Sequence, residues 1–176
     1  LVGNEPFAVL LPDDVIAADK PCLAQMVEAF EETGGNIVAA MEVAPEKASS
    51  YGVLDIAEDR GAIVKVKGMV EKPKREDAPS NLAVIGRYIL SPKVLTNLNK
   101  MKQGAGGEIQ LTDAIASEVD SKEGVYGFRF RGQRYDCGSK PGFLQATVAF
   151  GLARPDLRDE FNAYLQDMIA LQKAAQ

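Results

Sequence analysis

What most constrains this chain is a change of hydrophobic period early in its length. Pro6 to Leu11 is an unbroken apolar run of the kind that forms a strand buried on both faces. Leu23, Met26, Val27 and Phe30 then recur at helical spacing, after Asp19-Lys20-Pro21, which suits a helix start, and before Gly34-Gly35, which stops it. Ile37 to Met41 is a second unbroken run. Strand, helix, strand in that order is a right-handed crossover unit of a parallel sheet, so the chain is expected to be α/β.

The remaining elements fit such a sheet. Tyr51 to Ile56 and Ala62 to Val66 flank the turn Asp59-Arg60-Gly61 and predict an antiparallel hairpin. Met69-Val70-Glu71-Lys72 is stopped by Pro73, and after Ala78-Pro79-Ser80 the run Asn81 to Leu90 returns to the core. Ser91-Pro92 is an N-cap and first-turn pair for a short helix, and Glu108 to Ile115 predicts another. Gly104 to Gly107, ahead of it, fits neither dinucleotide nor P-loop spacing and reads as a mobile linker or lid hinge. Val125 to Phe130 alternates like a strand, Ser139 and Pro141 start a helix, and Leu157 to Ile169 is a last amphipathic helix suited to packing or oligomer contact.

The absence of histidine among the 176 residues removes a Ser-His-Asp triad, a Cys-His pair and every imidazole metal site. Any metal would need oxygen ligands, which favour magnesium or a similar hard ion, and acid–base work would fall to Asp, Glu, Lys or Tyr. A net charge of -5 argues against a nucleic-acid partner. No stretch approaches transmembrane length, and Cys22 and Cys137 stand far apart in no metal or redox spacing, as free thiols of a reducing cytoplasm would.

Within this frame a few residues could carry chemistry. Asp13 and Asp14 follow the first strand run, where an open α/β sheet binds ligands, and could hold a cation that bridges phosphates; they could equally cap a turn or the next helix. Glu71 and Lys72, at a strand end, offer a polyol acceptor beside a phosphate cation, or two solvated charges. Gly52 is either a bend in its strand or a place where a ligand approaches bare backbone.

The motifs Leu11-Pro12-Asp13-Asp14, Tyr51-Gly52-Val53, Val70-Glu71-Lys72-Pro73, Ala78-Pro79-Ser80-Asn81-Leu82-Ala83, Gly104-Ala105-Gly106 with Glu108-Ile109-Gln110-Leu111-Thr112-Asp113-Ala114, and Tyr135-Asp136-Cys137-Gly138 occur together and in order. In this the chain resembles the bacterial UTP:glucose-1-phosphate uridylyltransferases over nearly its whole length. The resemblance implies a Rossmann-like mixed sheet of the sugar nucleotidyltransferase, or glycosyltransferase A-like, type. It also implies attack of glucose-1-phosphate on the α-phosphorus of UTP, assisted by magnesium. Asp13 and Asp136 would be the metal ligands and, with Lys72, the catalytic groups. Asp14, Gly52, Glu71, Lys72, Asn81 and Val84 would bind the sugar phosphate. Asp136 could instead cap the helix after Ser139.

That family's glycine-rich loop with Thr-Arg, and its downstream Pro-x-Thr-Lys, do not occur here. The chain is therefore expected to be the C-terminal part of one nucleotidyltransferase domain, an incomplete fragment unable to bind the nucleotide by itself. Residues 1–150 would hold the sheet and sites, and 151–176 the packing helix of a homo-oligomer, dimer or tetramer. Alternatives from other classes are a non-catalytic sugar-phosphate-binding or assembly module of the same fold, or a related transferase using another nucleotide.

Overall fold

The computed structural model describes residues 2–101 and 109–175. The chain divides into two compact units, one of Leu1–Pro12 with Ile16–Gln133, the other of Asp13–Val15 with Arg134–Gln176. Within the second of these units Arg134 and Asp14 form an ion pair, and the Cys137 N–H donates to the Asp13 carbonyl at 2.7 Å. The expected linker at Gly104 to Gly107 lies outside the described residues, as does Glu108.

The first unit is built on a six-stranded sheet in the order β1-β6-β3-β7-β5-β4, from β1 (Phe7–Leu10), β3 (Asn36–Glu42), β4 (Gly52–Arg60), β5 (Ile63–Glu71), β6 (Leu82–Leu90) and β7 (Val125–Arg129). A further pairing, Val53 with Ala83, joins β4 to β6. The sheet is mixed. β3 and β7 run parallel, while β1, β3 and β4 each meet β6 antiparallel. Among the described residues the run at Phe7 pairs with β6 alone, and antiparallel, where the sequence favours a parallel strand. Along β1 exposed residues alternate with half-buried ones, Leu10 being 51% exposed, and Leu11 just beyond the strand is 40% exposed. An apolar run carries no record of which backbone lies alongside, nor of whether both faces end up covered.

β6 shows why both faces of the sheet are apolar. Ile85 and Ile89 pack with Ile37 and Ala39 of β3 under helix α1 (Cys22–Thr33), through Met26 and Ala29. Leu82, Val84, Tyr88 and Leu90 point into the opposite core, with Val94 of α2 (Pro92–Lys100) and Ala114 and Ile115 of α3 (Leu111–Ala116). Alternation with period two assigns each residue its face. Gly34 ends α1 at φ 68°, a left-handed conformation that needs no Cβ, and its N–H closes on the Phe30 carbonyl. Burial at the first turn of α1 pushes the Cys22 thiol up from 9.0 to about 11, because a thiolate there would lose its hydration.

The hairpin β4–β5 forms as its sequence predicts, with Gly61 at φ 85° in the turn. Its register shifts fall between Asp55 and Glu58, away from Gly52. Ser80 fixes the entry to β6, its Oγ donating to the Leu54 carbonyl at 2.6 Å and accepting from the Leu82 N–H at 3.0 Å. A second, two-stranded sheet pairs β2 (Asp14–Ala17) with β8 (Gln133–Asp136), and periodicity marks neither as a strand.

In the second unit, α4 (Lys140–Ala153) begins at Ser139, whose Oγ accepts from the Gly142 N–H. The Phe150 ring of α4 stands edge-on to Tyr135, with centroids 5.9 Å apart. Helix α5 (Arg158–Ala174) leaves Tyr164, Met168, Ile169 and Leu171 exposed.

Candidate active site

In the sheet unit, the hairpin register sets Gly52 directly across from Glu71, the last residue of β5. Position 52 is buried, and a methyl group there would lie 3.0 Å from Glu71 Oε2 and 3.3 Å from Thr112 Oγ1. Glycine is thus what keeps the backbone open beside the carboxylate. The Thr112 hydroxyl donates to Glu71 Oε2 at 2.6 Å, joining residues 41 apart in sequence. Thr112 lies inside a motif quoted above, yet nothing in its spacing points to Glu71.

Lys72 follows at φ 45°, the one non-glycine residue with positive φ among those described. For a residue with a Cβ this conformation costs about 1 kcal/mol or more, and it persists only where neighbours enforce it. Here the Lys72 N–H is tied to the Tyr51 carbonyl at 3.0 Å, across the hairpin end, and Pro73 is buried behind it. The lysine side chain remains exposed.

Val84 and Asn81 belong to β6 and its entry. The Val84 side chain packs in the core, 8% exposed, whereas Asn81 is exposed and its carbonyl accepts from the Val43 N–H.

In the second unit the two candidate metal aspartates converge. A methyl group at Gly138 would meet Asp13 Oδ2 at 3.0 Å and Asp136 Oδ1 at 3.2 Å, so both carboxylates reach the space this glycine leaves empty. Asp136 Oδ1 also accepts from the Gly138 N–H at 3.1 Å, while the N-terminus of α4 is capped by Ser139. The carboxylate of Asp136 thus holds a turn and leaves the helix cap to its neighbour. Asp14 is 6% exposed, and its Oδ1 accepts from Arg134 Nε. A carboxylate that deep needs a counter-charge, and Arg134, 120 residues away, supplies it. Sequence spacing gave no signal for Arg134.

Among the described residues no group of three or more Cys, Asp, Glu or His side chains could hold a metal. Two aspartates supply hard oxygen donors, which suits an ion whose remaining ligands are water and phosphate.

Fold and donor set define a class, an α/β protein of mixed sheet whose two clusters, one in each unit, offer carboxylates and, in the sheet unit, a primary amine, with no imidazole in the sequence. The nucleotidyl transferase family model matches residues 1–151, and the chain belongs to that family. It is 53% identical over 139 residues to a UTP–glucose-1-phosphate uridylyltransferase of Komagataeibacter xylinus, which covers 79% of this chain and 49% of the relative. A protein of the same name from Staphylococcus epidermidis is 42% identical over 167 residues, 95% of this chain and 58% of the relative. The crystal structure of a UDP-glucose pyrophosphorylase complexed with UDP-glucose superposes with a TM-score of 0.81 at 44% identity, covering 87% of this chain and 58% of that one. The chain spans about half the length of the curated relatives it matches.

Proposed function

We propose that this chain is the part of a UTP:glucose-1-phosphate uridylyltransferase that holds the sugar phosphate and the metal, in a protein making UDP-glucose and pyrophosphate. The observation that carries the reading is the hairpin end, with Gly52 facing Glu71 and Lys72 forced out of the strand beside them, in a chain 42–53% identical to proteins of that name. In the reaction an oxygen of glucose-1-phosphate forms a bond to the α-phosphorus of UTP as the bond to pyrophosphate breaks in line. Such a step needs positioning and charge neutralisation, and no covalent group on the protein.

Lys72 would pair with the oxyanion of glucose-1-phosphate. Glu71 would accept hydrogen bonds from sugar hydroxyls while the bare backbone at Gly52 admits the pyranose, with Asn81 and Val84 contributing from β6. Asp13 and Asp136 would hold magnesium, which when bound supplies positive charge to phosphate oxygens. Asp14 would serve through its pairing with Arg134, which fixes the chain next to Asp13. We further place the protein in the cytoplasm, in keeping with its free cysteines, and assign the exposed apolar residues of α5 to a homo-oligomer contact. No helix among the described residues is long and apolar enough to cross a membrane.

The test is turnover of the full-length protein with UTP and glucose-1-phosphate, read as UDP-glucose and pyrophosphate, followed by two substitutions. Lys72→Ala removes a hydrogen bond to a charged group, about 1.5–3 kcal/mol, so the KM for glucose-1-phosphate rises and kcat falls. Glu71→Ala relaxes discrimination among hexose phosphates. Both leave the KM for UTP nearly unchanged. Sugar-phosphate binding with no turnover for any nucleotide would favour the non-catalytic module, and preference for another nucleoside triphosphate a related transferase.

A further inference from the structure

The Thr112–Glu71 hydrogen bond belongs to no role assigned so far. Thr112 is the second residue of α3, and the residues just after it anchor that helix, since Ala114 and Ile115 are fully buried in the core. Its hydroxyl is therefore held by packing. It donates to Glu71 Oε2 at 2.6 Å, and its Oγ1 and Cγ2 lie 3.3 and 3.4 Å from where a Gly52 methyl group would stand. Three residues distant in sequence thus meet over one patch of bare backbone. Among the described residues, the other oxygen of Glu71, Oε1, has no hydrogen bond.

We infer that Thr112 is a positioning residue that locks the Glu71 carboxylate by one oxygen so that the other is presented to a sugar hydroxyl. The inference rests on the reading of Glu71 as the hexose acceptor. The physical ground is preorganisation. A glutamate side chain has three rotatable bonds, and ordering it when the sugar arrives would subtract from affinity and blur the choice between epimers. A strong bond from a helix anchored in the core by Ala114 and Ile115 restricts that freedom beforehand, so an inverted hydroxyl meets a carboxylate that does not follow it.

In the full-length protein, Thr112→Val keeps the shape and deletes the donor. kcat/KM for glucose-1-phosphate should fall roughly tenfold, the order expected for one hydrogen bond to a charged group. The preference over galactose-1-phosphate should narrow by several-fold, and the KM for UTP should stay within about twofold. Thr112→Ser, which retains the hydroxyl, should recover most of the loss, and in a Glu71→Ala background Thr112→Val should add less than about twofold. Thermal unfolding of each variant checks folding, and Thr112→Ala, which only removes atoms, replaces the valine variant if that one does not fold. Wild-type epimer preference in Thr112→Val, no recovery with serine, or a further drop in the Glu71→Ala background would each overturn the inference. If Glu71→Ala itself keeps wild-type preference, the sugar reading falls and this inference with it. If Glu71→Ala loses preference and Thr112→Val does not, the inference alone falls.

Discussion

Arg134 and Asp14 form an ion pair whose side chains are 11% and 9% exposed, and its disruption has a predictable scale. At that depth solvent screens little, and breaking a buried ion pair by removing one partner destabilises by about 3–5 kcal/mol. Against a total stability of roughly 5–15 kcal/mol this is a large fraction, and for a chain of this size it lowers Tm by about 6–20 °C. Asp14→Asn and Arg134→Met should each show that loss in urea and thermal unfolding of the full-length protein. The double variant Asp14→Leu/Arg134→Met should lose much less than the sum of the two, because apolar residues of similar size leave no orphan charge. Glucose-1-phosphate KM, measured where all variants remain folded, separates anchoring from direct sugar contact. Single variants within about 1 kcal/mol of wild type, the value of an exposed pair, would refute the reasoning, as would strictly additive losses.

Gly52→Ala places a methyl group 3.0 Å from Glu71 Oε2 and 3.3 Å from Thr112 Oγ1, so the carboxylate must shift by a few tenths of an ångström. We expect a several-fold higher glucose-1-phosphate KM in steady-state assays, with unfolding little changed. Asp13→Asn and Asp136→Asn should each lower turnover and raise the magnesium concentration needed for half-maximal rate; a loss of thermal stability alone in Asp136→Asn would instead assign that residue to its turn with Gly138. For Cys22 the folded thiol titrates near 11 against 9.0 when exposed. Its contribution to stability is therefore complete below pH 9.0 and disappears as pH rises toward 11, and pH-dependent unfolding of Cys22→Ala should lack that alkaline decline. At neutral pH a thiol reagent should label the half-buried Cys137 well before the buried Cys22.

Much of the fold is legible in the residues because it depends on local terms. The period of Leu23 to Phe30 is α1, Gly34 stops it where only a left-handed residue fits, and Ser139 caps α4 as serine before proline-containing turns does. The turn at Gly61 sets the hairpin register, and that register is what brings Gly52 opposite Glu71. The absence of histidine restricts the donor set to oxygens and an amine before any coordinate is known. Tertiary structure decided what depends on partners far along the chain. β6 inserts antiparallel between β1 and β3, which leaves the Phe7 run paired with β6 alone among the described residues, because every strand offers the same backbone donors and acceptors and apolar runs do not name their neighbours. Arg134 reaches Asp14 across 120 residues, and Thr112 reaches Glu71 across 41. A hydroxyl or guanidinium carries no periodic signal, so its partner emerges only when packing brings the two together.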